Sequence, residues 1–474
     1  MKRVAIVGAG IAGLSTAYYL HTLSLREGRP LEVILLEKEE RLGGSILTER
    51  AAGFIIEGGP DCFLSEKPWA LQLCRELGLE HDVIGTNQQA RRTFVLWGGL
   101  HELPEGFMLL APTSLRPFAR SSLFSFSGKL RMGLDLVIPR KRTDEDESLA
   151  AFVRRRLGTE ALERIAEPLV AGIHAGDPET MSLQSTFPRF IDMERENHSL
   201  IWGMRQRRRR LSQHQPPYTM FVTMREGMGQ IIAALEKALS SQTIALRHEV
   251  TEIEKITKPS LKKQRSQYRL HLSGTRKGLV VDTVILATPA FVTARLLRGL
   301  DSAISKHLYA IPYVSTATVN LVYRRSQIKH PLDGYGFVVP SLEGRKIMAA
   351  TFSSIKFPGR APGGMVLLRC FVGGAKNEEL VSLRRTELLA AVRGDIEEIL
   401  SINGAPFLIR VFRWDKAMPQ YTLGHEERLS RIEKALSKHP GLFLTGSAYH
   451  GIGISDCVHQ AELAAEQVLG FIRE

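Results

Sequence analysis

The sequence lacks several features that mark large classes of protein. No run of about 18 uncharged apolar residues occurs, so we expect no membrane-spanning helix. Neither HExxH nor GxSxG is present, which argues against a zinc protease and against a serine hydrolase. Cysteine is scarce, and its positions match neither a disulfide framework nor a Cys/His metal site. We therefore predict no metal site, and small core residues at Cys62, Cys74, Cys370 and Cys457.

Acidic residues are outnumbered by basic ones. The chain has 63 Lys and Arg against 50 Asp and Glu, which gives a formal net charge of +13, and part of the excess lies in residues 205–210 (RQRRRR). Such a run attracts nucleic acid, an anionic membrane surface or an acidic substrate, or simply forms a solvated loop. No aromatic residue interleaves it and no nucleic-acid motif surrounds it, so we predict no nucleic-acid binding.

The rest of the composition is ordinary for a globular protein, with 44% hydrophobic and 24% charged residues. At 474 residues the chain exceeds what one hydrophobic core usually supports, so we expect at least two domains. The first predicted strand begins almost at Met1 and leaves no room for a signal peptide, so we expect a cytoplasmic location. The basic excess leaves a loose, peripheral contact with a membrane surface open.

The apolar run VAIV leads directly into three glycines in the GxGxxG spacing, Gly8, Gly10 and Gly13. The first allows a tight turn, the second lets a pyrophosphate approach bare backbone, and the third lets the following helix pack closely on the strand. A second strand at residues 31–36 ends in Glu37, an acid placed to accept ribose hydrogen bonds. The stretch predicts a Rossmann-like site for an adenine dinucleotide. The alternative is a glycine-rich turn in an ordinary α/β domain.

Further glycine-rich turns extend this predicted site. Gly43 and Gly44 follow in RLGGSILTER, and GFIIEGGPDCF is an apolar strand that ends in another Gly-Gly pair. Near the other end of the chain, LFLTGSAYHGIGISDC indicates a strand, a glycine-rich turn and a helix start, suited to the isoalloxazine end of a flavin. Several separated turns that converge on one cavity favour FAD over the shorter NAD. We therefore predict FAD as the cofactor.

The chain between these turns changes character twice. Helical patterns such as SLAAFVRRRLGTEALERIAEPLVAGI fill much of residues 90–217, and strand-like alternation in TATVNLVY, YGFVVP and VLLRCFVG follows in residues 300–405. We predict an α/β fold in which a discontinuous, Rossmann-like FAD-binding domain (residues 1–89, 218–299 and 406–474) carries an inserted α+β substrate-binding domain. The parts of the insertion are a helical substrate or lid domain at 90–217 and a mixed-sheet substrate-binding region at 300–405.

The motifs VAIVGAGIAGL, LGG, EGGPD, ILATP and TGSAYHGIGISDC resemble, in this order, the flavin amine oxidase superfamily. More narrowly, FSFSGKLRMGLDLVIPRK, EPLVAGIHAGDPETMSLQSTFP and RWDKAMPQYTLGH are similar to the oxygen-dependent porphyrinogen oxidases of haem biosynthesis. The likeness covers nearly the whole chain and is closest to the soluble bacterial type of the coproporphyrinogen III oxidase and protoporphyrinogen oxidase family. It implies an FAD- and oxygen-dependent enzyme that oxidises a porphyrinogen to a porphyrin by removing six electrons, and that releases H2O2.

The resemblance favours coproporphyrinogen III as the substrate, oxidised to coproporphyrin III, with protoporphyrinogen IX to protoporphyrin IX as a close second. One alternative is another enzyme of the superfamily, such as an amine oxidase or a carotenoid-type desaturase. The other alternative is a non-catalytic flavoprotein that binds a tetrapyrrole. Besides the porphyrinogen and molecular oxygen, an expected partner is a downstream haem-pathway enzyme that takes over the product.

The resemblance also implies a set of FAD contacts, which lie in or beside the glycine-rich turns or face them from Val250 and Trp414. For Trp414 the alternative is an ordinary core tryptophan. The implied cofactor-binding residues are Gly8, Ala9, Gly10, Ile11, Ala12, Gly13, Glu37, Lys38, Arg41, Gly44, Ser45, Gly59, Pro60, Asp61, Val250, Trp414, Gly446, Ile452, Gly453 and Ile454.

The substrate contacts are fewer. Some members of the wider family pair a substrate propionate with an arginine on the loop after the first substrate-domain strand, whereas GGLHELPEG here offers His101 and no arginine. Lys67, shortly after the GPD turn, matches a candidate substrate-binding lysine of the coproporphyrinogen-type relatives; the alternative is a surface lysine at a helix start. Because the flavin supplies the redox chemistry, no catalytic side chain is assigned, and we interpret His174 as structural.

Overall fold

The structure, a computed structural model, describes residues 2–104, 107–108, 111–112, 114–213, 218–257 and 266–473. The strands are β1 (Arg3–Val7), β2 (Glu32–Leu36), β3 (Thr48–Ala51), β4 (Phe54–Glu57), β5 (Phe63–Leu64), β6 (Val83–Gly85), β7 (Arg92–Leu96), β8 (Leu100–Glu102), β9 (Phe107–Met108), β10 (Ala111–Pro112), β11 (Phe221–Met224), β12 (Thr243–Ala245), β13 (Val250–Thr257), β14 (Ser266–Leu272), β15 (Leu279–Val281), β16 (Thr283–Leu286), β17 (Tyr313–Arg324), β18 (Gly334–Val338), β19 (Ile347–Phe352), β20 (Met365–Gly373), β21 (Leu408–Pro419) and β22 (Leu442–Leu444).

The helices follow the same numbering in chain order. They are α1 (Ile11–Arg26), α2 (Pro68–Glu76), α3 (Leu115–Arg120), α4 (Phe126–Gly133), α5 (Leu149–Arg156), α6 (Thr159–Ala161), α7 (Glu167–His174), α8 (Leu183–Thr186), α9 (Pro188–Asn197), α10 (Leu200–Gln213), α11 (Gly229–Ala238), α12 (Ala290–Leu297), α13 (Ser302–Tyr309), α14 (Ser353–Lys356), α15 (Arg385–Ile399), α16 (His425–Leu436) and α17 (Ile454–Arg473).

A parallel five-stranded sheet in the order β12-β2-β1-β16-β22 forms the centre of the first domain. Its strands are short apolar runs because both faces are covered: α1, α2, α11 and α17 pack on one face, and the antiparallel strands β13–β15 with α12 pack on the other. The chain moves outward from β1 in both directions, so the switch point lies between β1 and β16. This arrangement confirms the predicted α/β, Rossmann-like fold, and ligands bind such sheets at the carboxyl edge of the switch point.

A mixed seven-stranded sheet in the order β21-β17-β20-β19-β18-β7-β8 forms the second large layer. Alternate residues of its strands pack against α15 on the outer face, as period-two patterning requires. The inner face carries polar side chains among apolar ones and contacts the turn that follows β4. The sheet therefore forms a wall against the carboxyl edge of the parallel sheet.

The predicted domain boundaries cut this seven-stranded sheet. β7 and β8 belong to it, although residues 90–217 were expected to form a helical domain, and β21 belongs to it although residues 406–474 were expected to lie in the FAD-binding domain. The reason is that strand pairing depends on hydrogen bonds between distant segments, whereas the boundaries were placed where the local pattern changes. The division into three regions otherwise stays a prediction.

The pattern over SLAAFVRRRLGTEALERIAEPLVAGI does not form one long helix. α5 ends at Arg156, and Gly158 takes a φ of +93°, in the region that favours glycine, before α6, a π-helical turn at Leu162–Ala166 and α7 continue the path. These helices pack around their own apolar core together with α8, α9 and α10. The basic run 205–210 lies on α10, although the side chain of Arg210 is outside the described residues.

No helix in the described part of the chain combines the length and the apolarity that crossing a membrane requires.

A buried ion pair joins the helices of this region. The guanidinium of Arg156 is fully buried, and its Nε donates to Oδ1 of the equally buried Asp135 at 2.7 Å. Asp135 also accepts from Ser199 Oγ at 2.6 Å, so both charges have partners. We predict that Asp135→Ala lowers the free energy of unfolding by about 3–5 kcal/mol, because the buried guanidinium loses the carboxylate that its Nε binds and keeps only the longer contact of Nη1 with Glu194 Oε1 at 3.3 Å among its acidic partners in the described residues. Urea denaturation followed by circular dichroism measures this.

The matched control is Arg154→Ala on the same helix. Arg154 pairs with Glu179 at the surface, where water screens the charges, so we expect a loss below about 1 kcal/mol. Equal losses for the two variants would contradict the assignment of the Arg156 pair as a structural centre of these helices.

Candidate functional site

The first glycine-rich turn lies at the carboxyl end of β1, next to the switch point. Gly8 has a φ of +99°, and a Cβ on Gly13 would lie only 1.9 Å from the Gly8 carbonyl oxygen. A Cβ on Gly10, in contrast, would have no atom within 4 Å. Gly8 and Gly13 therefore let α1 pack on β1, whereas Gly10 leaves bare backbone toward open space at the start of the helix, where an anion is favoured.

Glu37 lies at the end of β2, beside this turn. Its Oε2 accepts the backbone N–H of Ala9 at 2.7 Å, its Oε1 accepts that of Glu39 at 3.0 Å, and the residue is 8% exposed. The Glu37 carbonyl accepts from His248 N at 2.8 Å, which brings the start of β13, at Val250, to the same edge. The acid is thus oriented by the first glycine-rich turn itself.

Three glycine-rich turns pack backbone to backbone along this edge. Gly43 N donates to the Ala9 carbonyl at 2.8 Å, and a Cβ on Gly44 would lie 3.1 Å from the Cα of Gly10. A Cβ on Gly59 would lie 1.7 Å from the carbonyl oxygen of Ser45. The turns at 8–13, 43–45 and 58–61 therefore form one continuous wall without side chains between them.

Arg41 closes the second turn from outside. Its guanidinium donates to the carbonyls of Leu42 and Ile46, each at 3.2 Å, and to that of Gly44. Arg41 therefore shapes the turn that Gly44 and Ser45 present.

Trp414 faces the third turn from the inner face of the seven-stranded sheet. Its indole Nε1 donates to the Gly58 carbonyl at 2.9 Å, and Thr318 Oγ1 donates to the same oxygen at 2.8 Å. Trp414 is half-buried, so it is not an ordinary core residue, and it brings this sheet onto the wall of glycine turns. Trp414 thus contacts one of the glycine-rich turns, and its contact with the cofactor stays a prediction.

Asp61 ends the third turn in a cluster of buried charges. Lys356 Nζ donates to Asp61 Oδ2 at 3.1 Å, and the Arg369 guanidinium lies 3.6 Å from Oδ1 and also donates to the Gly59 carbonyl. Burial by itself would raise the pKa of Asp61, but the positive charges of Lys356 and Arg369 outweigh it and hold the pKa below its usual range. Asp61 is therefore ionised at neutral pH and fastens the turn to the sheet.

The C-terminal glycine turn reaches the same edge from β22. Gly446 has a φ of +117° and packs against Ala12 on α1, so the first and last turns of the chain meet. Gly451, with a φ of +126°, and Gly453 lie over Asp456: a Cβ on Gly451 would lie 2.5 Å from Asp456 Cβ. Ile454 then begins α17, a second helix N-terminus at this edge.

Lys67 has a partner that the sequence did not indicate. Its ammonium donates to both carboxylate oxygens of Asp456 at 2.6 Å, so it connects the start of α2 to the turn above α17. Its charge is therefore largely balanced within the protein, although its side chain is 41% exposed. Substrate binding by Lys67 stays a prediction.

His174, at the end of α7, is neutral at physiological pH. Burial, and secondly the charge of Lys67, lower its pKa to about 4. A group with so low a pKa is a poor proton acceptor at neutral pH, which favours the structural interpretation. His101 is likewise occupied, since its two ring nitrogens lie 2.9 Å from Ser122 Oγ and from the Trp97 carbonyl.

Nearly all of the predicted cofactor residues thus lie along one edge. Lys38 is exposed and pairs with its neighbour Glu39. Cys457, predicted as a core residue, is buried on α17, and burial raises the pKa of its thiol to about 12. Such a thiol is unreactive.

Sequence reasoning missed the residues that hold the turns from behind. Lys356 and Arg369 lie far along the chain from the turn that they support. Asp456 lies in a motif that was interpreted from its glycines. A charged residue in an otherwise apolar strand, as Arg369 is in MVLLRCFVG, is the one signal that could have found them.

The chain matches the Flavin containing amine oxidoreductase family over residues 11–469. It is 37% identical to the coproporphyrinogen III oxidase of Bacillus subtilis (strain 168), with 99% of this chain and 98% of that protein covered. It is 30% identical to protoporphyrinogen oxidase 1, chloroplastic, of Spinacia oleracea, with 99% and 84% covered. A crystal structure from Exiguobacterium sp. 255-15 superposes with a TM-score of 0.86 at 32% identity, covering 100% of this chain and 99% of that one.

Two glycines of the first turn allow a matched prediction. Gly10→Ala leaves the fold intact, because its methyl meets no protein atom, but it fills the space of a bound pyrophosphate. We expect the Kd for FAD to rise at least about tenfold, which corresponds to about 1.4 kcal/mol. Flavin fluorescence titration of the apoprotein measures this.

Gly13→Ala is the structural counterpart. Its methyl would overlap the Gly8 carbonyl, so we expect the apoprotein to lose about 1–3 kcal/mol of stability. An unchanged FAD affinity of Gly10→Ala would show that the pyrophosphate does not approach Gly10.

Proposed function

Since the chain belongs to the Flavin containing amine oxidoreductase family and is an FAD-dependent oxidoreductase, we propose that it oxidises a porphyrinogen to a porphyrin in haem biosynthesis. The proposed substrate is coproporphyrinogen III, with protoporphyrinogen IX as the second candidate. The observation that carries the proposal is full-length similarity to proteins named coproporphyrinogen III oxidase, at 34–37% identity.

The residues at the carboxyl edge fit FAD. The continuous backbone wall from Gly10 through Gly44 and Ser45 to Gly59 has the extended form that a dinucleotide needs, and two helix N-termini face it. We propose that the residues predicted from the sequence, from Gly8 to Ile454, hold the cofactor there. Within this proposal Glu37 binds the ribose, and Pro60, Trp414 and Ile452 lie toward the flavin end.

FAD, when bound, accepts two electrons in each of three successive rounds and passes them to molecular oxygen, so that one porphyrinogen and three O2 give one porphyrin and three H2O2. The part of the protein is to hold a large, flexible ring in place and to let oxygen enter. Asp61 with Lys356 and Arg369 would keep the turn at residues 58–61 fixed while the cofactor is bound. Because His174 is neutral and no acid–base pair is assigned, we propose that protons leave to solvent.

The activity has a direct test. We expect the purified protein to be yellow, and porphyrin fluorescence to rise when coproporphyrinogen III and oxygen are supplied, with about three H2O2 formed per porphyrin. The ratio follows from two-electron chemistry at the flavin. The measurement combines porphyrin fluorescence with a peroxide assay, and anaerobic porphyrinogen should bleach the flavin band once.

Comparison of turnover with coproporphyrinogen III and protoporphyrinogen IX decides between the two substrates. A flavin-loaded protein that produces no porphyrin from either would exclude the proposal, and flavin bleaching without porphyrin release would indicate a binding protein instead.

We also propose a loose contact with an anionic membrane surface through the helical region. Five large apolar side chains are exposed on α4 and the turn after it: Phe126 (78%), Leu130 (60%), Leu134 (49%), Leu136 (55%) and Val137 (75%). Phe126, Leu130 and Leu134 follow the spacing of one helix face, and Arg140 and Arg142 lie exposed beside them. Isolated exposed apolar residues are ordinary, but a patch with a basic rim fits an anionic lipid surface.

The variant Leu130→Glu tests this contact. We expect the wild-type protein to sediment with phosphatidylglycerol vesicles and far less with phosphatidylcholine vesicles, and the substitution to reduce binding at least about fivefold, because burial of the apolar face is lost. Leu342→Glu, at a position 62% exposed elsewhere, is the control and should bind as the wild type does. Equal binding of both variants would contradict the proposal. Handover of the product to a later enzyme stays a prediction.

A further inference from the structure

The basic run on α10 meets the start of α2 at a small group of charges. Glu66, the residue before Lys67, accepts from the guanidinium of Arg207, and its Oε2 lies 3.6 Å from Nη1 of Arg189 on α9. Arg189 and Arg207 belong to the helical region, whereas Glu66 belongs to the predicted FAD-binding domain. The three side chains therefore lie at the junction of the two, and we call them the junction cluster.

Positive charge exceeds negative charge at this junction. Lys67 pairs with Asp456. Within the described residues, Glu66 is the one carboxylate that pairs with Arg189 and Arg207, so two guanidiniums share a single carboxylate. Burial lowers the pKa of Arg189, and the nearby charge of Arg207 lowers it further, while Glu66 acts in the opposite direction. An arginine stays protonated under such conditions. A further anion would therefore stabilise the two positive charges.

The junction cluster is also open to solute. The side chains of Glu66, Arg189 and Arg207 are 35%, 36% and 32% exposed. A ligand can therefore reach these side chains. Because they are partly shielded from water, an ion pair here is stronger than one on a fully exposed surface. A planar guanidinium binds a carboxylate through two parallel hydrogen bonds, which gives direction as well as attraction.

The location connects this cluster to the cofactor edge. Glu66 adjoins Lys67, which binds Asp456 beneath the Gly451 turn, and the charge of Lys67 acts on His174 at the end of α7. Earlier on α10, Arg205 lies over the ring of Trp202, which is 45% exposed. The junction cluster therefore adjoins the lysine that holds the last glycine-rich turn at the cofactor edge.

We infer that Arg189 and Arg207 form a capture site for a carboxylate of the substrate, and that this site favours substrates with four carboxylates over those with two. The inference rests on the proposed function and extends it to the choice of substrate. Coproporphyrinogen III carries four propionates, whereas protoporphyrinogen IX carries two. If two carboxylates of the ring bind elsewhere in the cavity, a ring with four still has a carboxylate for the junction cluster, whereas a ring with two has none.

Two variants, Arg189→Gln and Arg207→Gln, test the capture site in the holoenzyme. We expect KM for coproporphyrinogen III to rise about five- to tenfold with kcat changed less than twofold, because a pairing made before the chemical step is lost. KM for protoporphyrinogen IX should change less than twofold. Added salt should weaken the wild type more than the variants, since a charge pair is screened.

Direct binding supplies a readout without turnover. Quenching of protein fluorescence by coproporphyrin III and by protoporphyrin IX gives their Kd values, and Arg207→Gln should remove a preference for the four-carboxylate ring. Arg207→Lys should restore part of it. If the wild type turns over neither porphyrinogen, the proposed function fails while the binding arm still decides the capture site: a wild-type preference lost in Arg207→Gln supports it, and no preference overturns it.

Glu66→Gln separates capture from a merely structural junction. It removes the carboxylate that competes for the two guanidiniums, so capture predicts tighter binding of coproporphyrin III, about two- to fivefold. A junction that only fastens the two regions predicts weaker binding, as in Arg207→Gln.

Arg195→Gln is the matched control, since it lies on the same helix as Arg189 but pairs with Asp144 away from the junction. It should leave both KM values unchanged, and melting temperatures show whether each variant is folded. Equal changes of KM for both substrates, or weaker binding by a folded Glu66→Gln, would overturn the inference.

Discussion

The close packing of α1 on β1, which the missing side chain of Gly13 permits, is the constraint on which the rest of the structure depends. A methyl at this position would lie 1.9 Å from the Gly8 carbonyl, so a larger residue would push the helix away from the strand. Because the helix stays close, its N-terminus lies at the switch point between β1 and β16 and faces open space at Gly10. The positive end of a helix dipole is thereby held where a ligand with phosphates needs it.

Close backbone packing repeats along the edge, and ion pairs hold the third and the last turn in place. Gly59 packs on Ser45 while Asp61 binds Lys356 and Arg369, and Gly451 packs on Asp456, which binds Lys67. A slot lined by backbone has little side-chain entropy to lose when a ligand enters, and turns fixed by ion pairs are already arranged for it. The charges therefore act by holding the turns in place.

Two titratable groups near the cofactor edge are uncharged at neutral pH. His174 is kept neutral by burial and by the charge of Lys67, and Cys457 is kept as a thiol by burial. In a flavoprotein the cofactor carries the electrons, so the polypeptide contributes orientation, exclusion of water and electrostatic attraction of an anionic substrate. Part of the positive excess of the sequence lies where α9 and α10 meet Glu66, and part lies where Lys356 and Arg369 meet Asp61.

The sequence by itself determined the cofactor half of the protein, because short-range rules govern it: GxGxxG fixes the turn and helix start, and the run before Glu37 forms β2 and ends at that acid as expected. In the remainder, the period-two pattern indicated β17, β18 and β20, and the helical pattern indicated α5 and α7 without the breaks between them. Only the tertiary structure decided that β7, β8 and β21 share one sheet, that Lys67 binds Asp456, and that Lys356 and Arg369 bind Asp61. These contacts join residues tens to hundreds of positions apart, and no local pattern records which distant charge or strand a residue will meet once the chain is folded.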